Sequence, residues 1–272
     1  MTYSSRFWLY APLALFLALA AWAFAHWWLV ARALDQKLGV LNGRQAIPGV
    51  TVSWSGHTIS GFPFRVDVLF RDFTVRAEAP RGLVTWHSDR FASHALTYGR
   101  AQEIFEAAGP QALAWTDIDG VAHHLSFLPG SLRASAIADA KGLSRFDLEL
   151  VDAGGKSGEG APVTIARAQF HMRRDPKQDA LDVMISAVEV KDPGTPFGDH
   201  VQNLELYSRV IPARAFERLL AGRAGWMDAL MAWRHDRGRI VNDRVHVQAS
   251  AVTADSADRL GQRLNDLLFP FY

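Results

Sequence analysis

The side chains best suited to chemistry in this chain are ten histidines, but their spacing forms no recognised metal-binding motif. His123 and His124 are adjacent, so on a strand their side chains point to opposite faces and do not easily bind one ion. No His-x-x-x-His pair lies on a predicted helix, where that spacing would bring two imidazoles onto one zinc ion. His87 and His94 could approach each other across a hairpin. We nevertheless expect structural histidines here and predict no metal site.

Other motifs that carry catalytic or cofactor chemistry are equally weak. Gly155-Lys156-Ser157 resembles part of a phosphate-binding loop, but that loop needs a glycine five residues before its second glycine, where this chain has Leu150. We predict a flexible hairpin loop over residues 154–160. Asp117 and Asp119 are followed by Gly120 and therefore indicate a turn. A single pair of carboxylates at this spacing does not identify a glycosidase. The chain also contains no Gly-x-Ser-x-Gly nucleophile elbow.

Composition argues against several classes of function. Of the 272 residues, Lys plus Arg number 29 and Asp plus Glu 28, so the net charge of +1 supplies no basic face for nucleic acid. The absence of cysteine excludes disulfides, thiolate metal sites and a cysteine nucleophile. We predict no catalytic residues, no cofactor and no nucleic-acid partner, and we expect that the protein is not an enzyme.

The N-terminal segment has the composition of a membrane-spanning helix. From Phe7 to Ala25 every residue is apolar or aromatic, and after His26 the apolar residues continue to Val30. About 24 residues at ~1.5 Å each span roughly 36 Å, enough to cross a hydrocarbon core of about 30 Å. Aromatic residues near both ends match the interfacial belts of a spanning helix. We predict that residues 1–31 anchor the chain in a lipid bilayer.

Cleavage of this segment is the alternative to an anchor. Ala23-Phe24-Ala25 has the small-x-small form of a signal-peptidase site. The apolar stretch continues past that site, so we favour an uncleaved anchor.

The rest of the chain is predicted to be a stalk and linker, 32–49, followed by a β-rich domain, 50–272. Leu34, Leu38 and Leu41 recur at helical spacing before glycines and a proline break the helix. From residue 50 the apolar residues alternate with polar ones, as in short strands with one face in water. The predicted turns are Asp119-Gly120, Pro129-Gly130, Asp152 to Gly155, Asp175-Pro176 and Asp192 to Gly194.

The predicted fold class is mainly β with added helices (α+β), in which amphipathic helices pack on an antiparallel, curved β-meander sheet. Helices are expected near 100–108, 213–235 and 254–268, and Gly222 and Gly225 should break the second one. Residues 239–252 are predicted to form a final hairpin or strand pair.

The stretch from Trp54 to Arg65, with Gly61-Phe62-Pro63-Phe64-Arg65 as its most specific part, resembles a bacterial family filed as domain of unknown function 2125. Trp86, Leu96-Thr97-Tyr98 and the anchor extend the match loosely over most of the chain. The resemblance implies a periplasm-facing β protein anchored in the inner membrane. It also implies a loose likeness to larger envelope proteins that carry lipid in long β grooves. It transfers no catalytic residues.

The physical properties of the motif predict a turn followed by a strand. Gly61 permits a turn or bulge, and Pro63 belongs at a strand edge or start because it has no N–H to donate. We expect Phe62 and Phe64 to be buried and Arg65 to face outward.

The sequence leaves more than one orientation and more than one function open. The cations Arg32, Lys37 and Arg44 slightly favour a cytoplasmic domain, but signal-like segments usually export the domain behind them, and the resemblance also favours the periplasm. The preferred function is a non-enzymatic envelope protein with a lipid or another apolar ligand in a β groove. One alternative is a structural or assembly factor that binds another envelope protein. The other is a hydrolase whose site the sequence does not reveal.

Overall fold

The computed structural model describes residues 5–79, 82–96, 102–116, 120–158, 160–192 and 198–250, with side chains described from Tyr10 onward. The helix predicted near 254–268 and the carboxylates of Asp117 and Asp119 lie outside these residues.

One long helix precedes an almost uninterrupted series of strands. Helix α1 spans Ser5–Leu41. The strands are β1 Arg44–Ile47, β2 Val50–Ser53, β3 Gly56–Ser60, β4 Arg65–Ala79, β5 Gly82–Leu96, β6 Gln102–Thr116, β7 Ala122–Asp139, β8 Gly142–Ser157, β9 Ala161–Asp175, β10 Ala180–Lys191, β11 His200–Ile211 and β12 Arg239–Ala249. Between β11 and β12 lie a 3-10 turn, Ala213–Phe216, and the helices α2, Glu217–Leu220, and α3, Trp226–His235.

The strands form one 12-stranded sheet in the order β1-β2-β4-β5-β6-β7-β8-β9-β10-β11-β12, and β3 pairs with β4 beside this path. From β4 onward each strand pairs antiparallel with the next along the chain, so the sheet is a meander. Among the described residues β1 and β12 do not pair with each other, and the sheet is open. The predicted fold class is confirmed, but the strands are long rather than short.

A line of irregular residues crosses the sheet, and we call it the crease. Asp72 on β4, Asp152 on β8 and Glu189 on β10 all have φ near +50°, and Gly109 on β6 has φ +80°. At the same level the pairing of β7 with β8 skips one residue on each strand. Such residues interrupt the two-residue alternation and bend the strands. At the crease the long strands therefore bend without being interrupted.

The crease also explains two predicted turns that are wrong. Pro129-Gly130 lies inside β7, and the segment from Asp152 to Gly155 lies inside β8. Proline, glycine and aspartate are the residues of turns, but they are also the residues that tolerate a bulge. The structure places these two segments beside each other, since Pro129 pairs with Ala153. By contrast, the turn predicted at Asp175-Pro176 lies between β9 and β10, as expected.

The helix predicted near 100–108 is also wrong, because its described part belongs to β6. Phe105 and Ala107 lie between the exposed residues Ile104 and Ala108, with the half-buried Glu106 between them, and β5 and β7 pair with this strand on either side. Backbone pairing on both sides outweighs the weak helical propensity of so short a segment.

Residues 239–249 form one strand and not the predicted hairpin. Tyr207 pairs with Arg244 but Ser208 pairs with Asn242, so Asp243 is the extra residue of a bulge. Arg209 donates two hydrogen bonds to the Asp243 carboxylate, at 2.7 and 2.8 Å.

The segment predicted as a stalk and linker is packed on the sheet. Leu38 of α1 is buried in a cluster with residues of β2 and β4, and β1 pairs with β2. Asn42 clamps the helix end, since its side chain donates to Trp54 O and accepts the Trp54 N–H, both at 3.0 Å. The second half of α1 is therefore part of the domain core, which the helical spacing of its leucines did not reveal.

The second predicted helix, 213–235, is divided at the expected glycines, because α2 ends at Leu220 and α3 begins at Trp226. Trp233 is 2% exposed and donates from Nε1 to Ile211 O at 2.9 Å. A Cβ added to Gly238 would lie 2.2 Å from the Trp233 ring, so only glycine fits there. These contacts fix the helices on one face of the sheet beside Leu181 and Val210.

The two ends of the sheet approach each other through the α2–α3 connection. A Cβ added to Gly222 would lie 3.2 Å from Ile47 Cγ2, and one added to Gly225 would lie 3.3 Å from Pro48 O. Because Ile47 and Pro48 lie at the β1–β2 turn, the sheet curves, and the face that carries α1, α2 and α3 is the inside of the curve.

A candidate lipid-binding groove

The inner face of the sheet is lined by rows of directly paired residues, which are apolar except for Ser93. One row contains Phe70, Phe91, Ala107, Leu132, Leu150, Ala168 and Ala187. The next contains Val68, Ser93, Phe105, Ala134, Leu148, Phe170, Ile185 and Leu206. Paired residues on adjacent strands share a face, so each row runs perpendicular to the strands. Together they make an apolar surface that crosses the sheet from β4 to β11.

Three cavities of about 580, 630 and 200 Å³ lie along this surface. Phe91 and Phe105 line both the first and the second, while Phe170 and Ile185 line both the second and the third. The cavities therefore adjoin one another along the sheet, and together we call them the apolar groove, with the three cavities as its segments. From β4 to β11 there are seven inter-strand steps, so at ~4.8 Å each the groove is about 34 Å long.

Each end of the groove is bounded by a helix. At the first end α1 contributes Val30, Leu34 and Leu38, which face Val66 and Phe105 across the cavity of about 580 Å³. At the other end Phe216, Leu219 and Trp226 complete the lining of the smallest cavity.

The polar residues that line the groove at its α1 end include Lys37, Ser93 and Glu103. The Ser93 hydroxyl donates to Glu103 Oε1 at 3.3 Å. A ligand with one polar end would place that end here, beside charged groups, and its apolar part in the middle segment. The groove therefore has a polar end beside α1 and an apolar middle, which the sequence pattern does not reveal.

The walls of the first segment are strongly aromatic. The rings of Phe73 and Phe91 stack with centroids 4.3 Å apart, and Phe91 stacks on Phe105 at 5.8 Å. Trp86, which lines the second segment, packs edge-on against Phe91 at 5.7 Å. Stacked and edge-on arrangements of this kind are the favoured geometries of aromatic pairs, and each ring contacts its neighbours.

Charged side chains lie on the other face of the sheet as cross-strand pairs. His94 Nδ1 lies 2.8 Å from Asp67 Oδ1, and His171 Nδ1 lies 2.7 Å from Asp147 Oδ1. Burial works to raise the pKa of Asp147, but hydrogen bonds from His171 and Arg145 outweigh it and hold that pKa below its ordinary value. These pairs join neighbouring strands and face away from the groove.

The structure separates the histidines considered as ligands. His87 and His94 lie seven residues apart on the same strand, β5, and not across a hairpin. His123 and His124 are neighbours on β7. Within the part of the chain that the structure describes, no three His, Asp or Glu side chains form a group able to hold a metal ion. Gly155-Lys156-Ser157 ends β8 as a paired strand segment, so the predicted hairpin loop over 154–160 is wrong for these residues.

The Gly61–Arg65 segment, which we call the motif loop, lies against α1. Gly61 has φ +99°, and its carbonyl accepts the Arg65 N–H at 2.9 Å. Phe62 and Phe64 are 51% and 59% exposed, so the expectation that they are buried is wrong. Phe62 packs edge-on against Trp27, whose Nε1–H donates to Arg65 O at 2.8 Å. The exposure of these rings depends on where α1 lies. The alternation of residues along a strand does not predict that position.

Comparison with protein-family models matches residues 27–262 to the family described as uncharacterized protein conserved in bacteria, DUF2125. The chain belongs to this family. The match begins at Trp27, so it includes the motif loop, the second half of α1 and the whole described sheet of this DUF2125 protein. Comparison with curated proteins and with solved structures found no match.

Proposed function

We propose that this DUF2125 protein is a non-enzymatic, single-pass membrane protein that binds the acyl chains of a lipid in its apolar groove. The observation that carries the proposal is the series of adjoining apolar cavities, which extends from the anchor helix at one end to α2 and α3 at the other.

The first half of α1 supports membrane attachment. It is the one helix among the described residues that is long and apolar enough to cross a bilayer, as the sequence predicts for residues 1–31. Its side chains from Leu13 to Leu29 include a series of large apolar groups that the protein leaves exposed. Exposure of that much apolar surface is favourable in lipid and costly in water.

The dimensions and lining of the groove suit acyl chains. Ligand sites are typically of about 300–1,000 Å³ and lined mainly by apolar side chains, as its two larger segments are. Burial of each methylene contributes about 0.8 kcal/mol, so a long chain gains enough to offset the cost of ordering it. We propose a lipid with a polar end near Lys37 and Glu103 and its chains toward Phe146 and Phe170.

A photoreactive amino acid at single positions of the full-length protein in bacterial cells tests this function. At Leu148, in the groove, irradiation should give an adduct with the mass of a lipid. At Glu149, the next residue along β8 and on the opposite face, it should give none. Equal labelling at both positions, or none at Leu148, refutes acyl-chain binding. A protein adduct at Leu148 would instead support the assembly-factor alternative.

We also propose that the sheet lies in the periplasm and that α1 stays in the inner membrane uncleaved. A reporter enzyme that is active only outside the cytoplasm, fused after Tyr272, should be active in intact cells. Activity of a cytoplasm-dependent reporter at the same position would reverse the orientation and leave the groove proposal unchanged.

A further inference from the structure

We propose that the motif loop is a second membrane contact, with Phe62 and Phe64 inserted into the interface of the bilayer beside α1. This inference rests on the proposed spanning of the membrane by α1. It concerns the motif loop, which does not line the groove, and it assigns a role to exposed aromatic rings that a soluble domain would bury.

The depth of the loop follows from its contacts with the helix. The Phe62 ring centroid lies 5.9 Å from that of Phe24 and 5.8 Å from that of Trp27. After the apolar stretch the first charged side chain on α1 is Arg32, about 12 Å along the helix from Phe24 at ~1.5 Å per residue. The Arg32 guanidinium lies 5.2 Å from the ring centroid of Trp28. Phe62 therefore lies at the level of the tryptophans that mark the edge of the hydrocarbon core.

The chemistry of the loop suits this position. Phenylalanine is typical of the apolar face of segments that bury in the membrane interface, and more than half of the surface of Phe62 and of Phe64 is exposed. Pro63 has no N–H that would need a partner in lipid, and the Gly61 carbonyl already accepts the Arg65 N–H. The Arg65 guanidinium is exposed and donates from Nη2 to Asp67 Oδ2 at 3.1 Å, and its other N–H groups can bind lipid phosphates, as cations at the interface do.

The strand that pairs with the loop extends the same surface. Arg65 pairs with Leu96 at the end of β5, and Leu96 is 52% exposed. Leu96 also lines the first segment of the groove, together with Val30 and Val66. An inserted loop therefore brings the α1 end of the groove to the surface of the bilayer, where an acyl chain could enter it directly.

Depth-dependent quenching tests the insertion, and the absence of native cysteine makes single-site labelling clean. The full-length variants Phe64→Cys, Phe62→Cys and Leu96→Cys, each labelled with an environment-sensitive fluorophore, are reconstituted in nanodiscs that contain spin-labelled phospholipid. We expect at least half the quenching that is measured for Leu15→Cys, which lies within the apolar half of α1.

Leu83→Cys is the matched negative control. Leu83 is 55% exposed, close to the 59% of Phe64, but it lies at the opposite end of β5 from Leu96. Thirteen residues at ~3.3 Å place it about 43 Å away along the strand, and we expect no quenching there.

The outcomes separate the two proposals. Quenching at Leu15 without quenching at Phe64 and Leu96 overturns the inserted loop and leaves the anchor intact. No quenching at Leu15 overturns both. Leu96 lies outside the motif loop, so its result still decides the placement if a label at Phe62 disturbs the contact with Trp27.

Discussion

Filling the middle of the apolar groove should weaken lipid binding strongly without unfolding the sheet, and Ala168→Trp is the substitution that does this most directly. Ala168 lies on β9, directly opposite Leu150 on one side and Ala187 on the other. It lines the central segment of about 630 Å³. A tryptophan at this position would occupy the space through which a bound chain has to pass.

The expected loss follows from the apolar area that the ligand no longer buries. A buried tryptophan covers about 150–250 Å². If roughly 100 Å² of acyl-chain surface is displaced, the loss is about 2.5 kcal/mol at ~25 cal/mol per Å². That corresponds to roughly 70-fold weaker binding, since each 1.4 kcal/mol is about tenfold in Kd.

The assay uses the full-length protein in nanodiscs with a phospholipid whose acyl chain carries a diazirine. Labelling of the protein is measured as the mole fraction of this lipid rises, and the half-saturation point gives the apparent affinity. The control is Ala92→Trp, because Ala92 lies between Phe91 and Ser93 of the groove and therefore faces the opposite side of β5.

A half-saturation point for Ala168→Trp within threefold of the native value refutes the groove as the binding site. An equal shift in Ala92→Trp would mean that tryptophan perturbs the sheet generally. Circular dichroism in the same preparation establishes that both variants keep their strands.

Three further predictions concern stability, each measured as the free energy of unfolding by denaturant in detergent micelles. Gly238→Ala should lose about 1–3 kcal/mol of stability, because its Cβ would lie 2.2 Å from the Trp233 ring. A Cβ at Gly154 would meet nothing within 4 Å, so the control Gly154→Ala should lose no stability to such a clash. Asp147→Asn should lose roughly 1 kcal/mol at pH 7, and this loss should shrink as the pH falls through the folded pKa of Asp147. Asp152→Val should lose about 1–2 kcal/mol, since a β-branched residue is strained at φ 50°.

The pH dependence for Asp147 has a definite sign. Its folded pKa lies below the ordinary 3.8, so the ionised carboxylate stabilises the fold above that pH, and the stabilisation disappears as pH falls through the folded pKa. A loss for Asp147→Asn that does not shrink at any acidic pH would contradict the assignment. Likewise, a neutral Asp152→Val would contradict the strain at the crease.

Local patterns in the sequence predicted the features that depend on near neighbours. The period of two from Val50 onward indicated the strands, and the run from Phe7 to Val30 indicated the apolar helix. Patterns failed where distant parts of the chain decide the outcome. Residues 102–108 are a strand because β5 and β7 pair with them on both sides.

Almost nothing in the sequence indicated the apolar groove, for the same reason. Groove residues such as Phe91, Leu132 and Phe170 are separated by many residues along the chain, and only the pairing register brings them into adjoining rows. Each was recognisable as an apolar strand residue. Nothing in the spacing indicated whether its face would be covered by a helix or left as a groove.

By itself the sequence determined an apolar N-terminal helix, a β-rich remainder, the family resemblance and the absence of cysteine chemistry. These depend on composition and on short periods, which are local properties of the chain. The tertiary structure decided the crease, the docking of α1 on β2 and β4, the exposed rings of Phe62 and Phe64, and the groove. Each of these depends on the register and curvature of the whole sheet, because paired strands bring together residues that no local pattern connects.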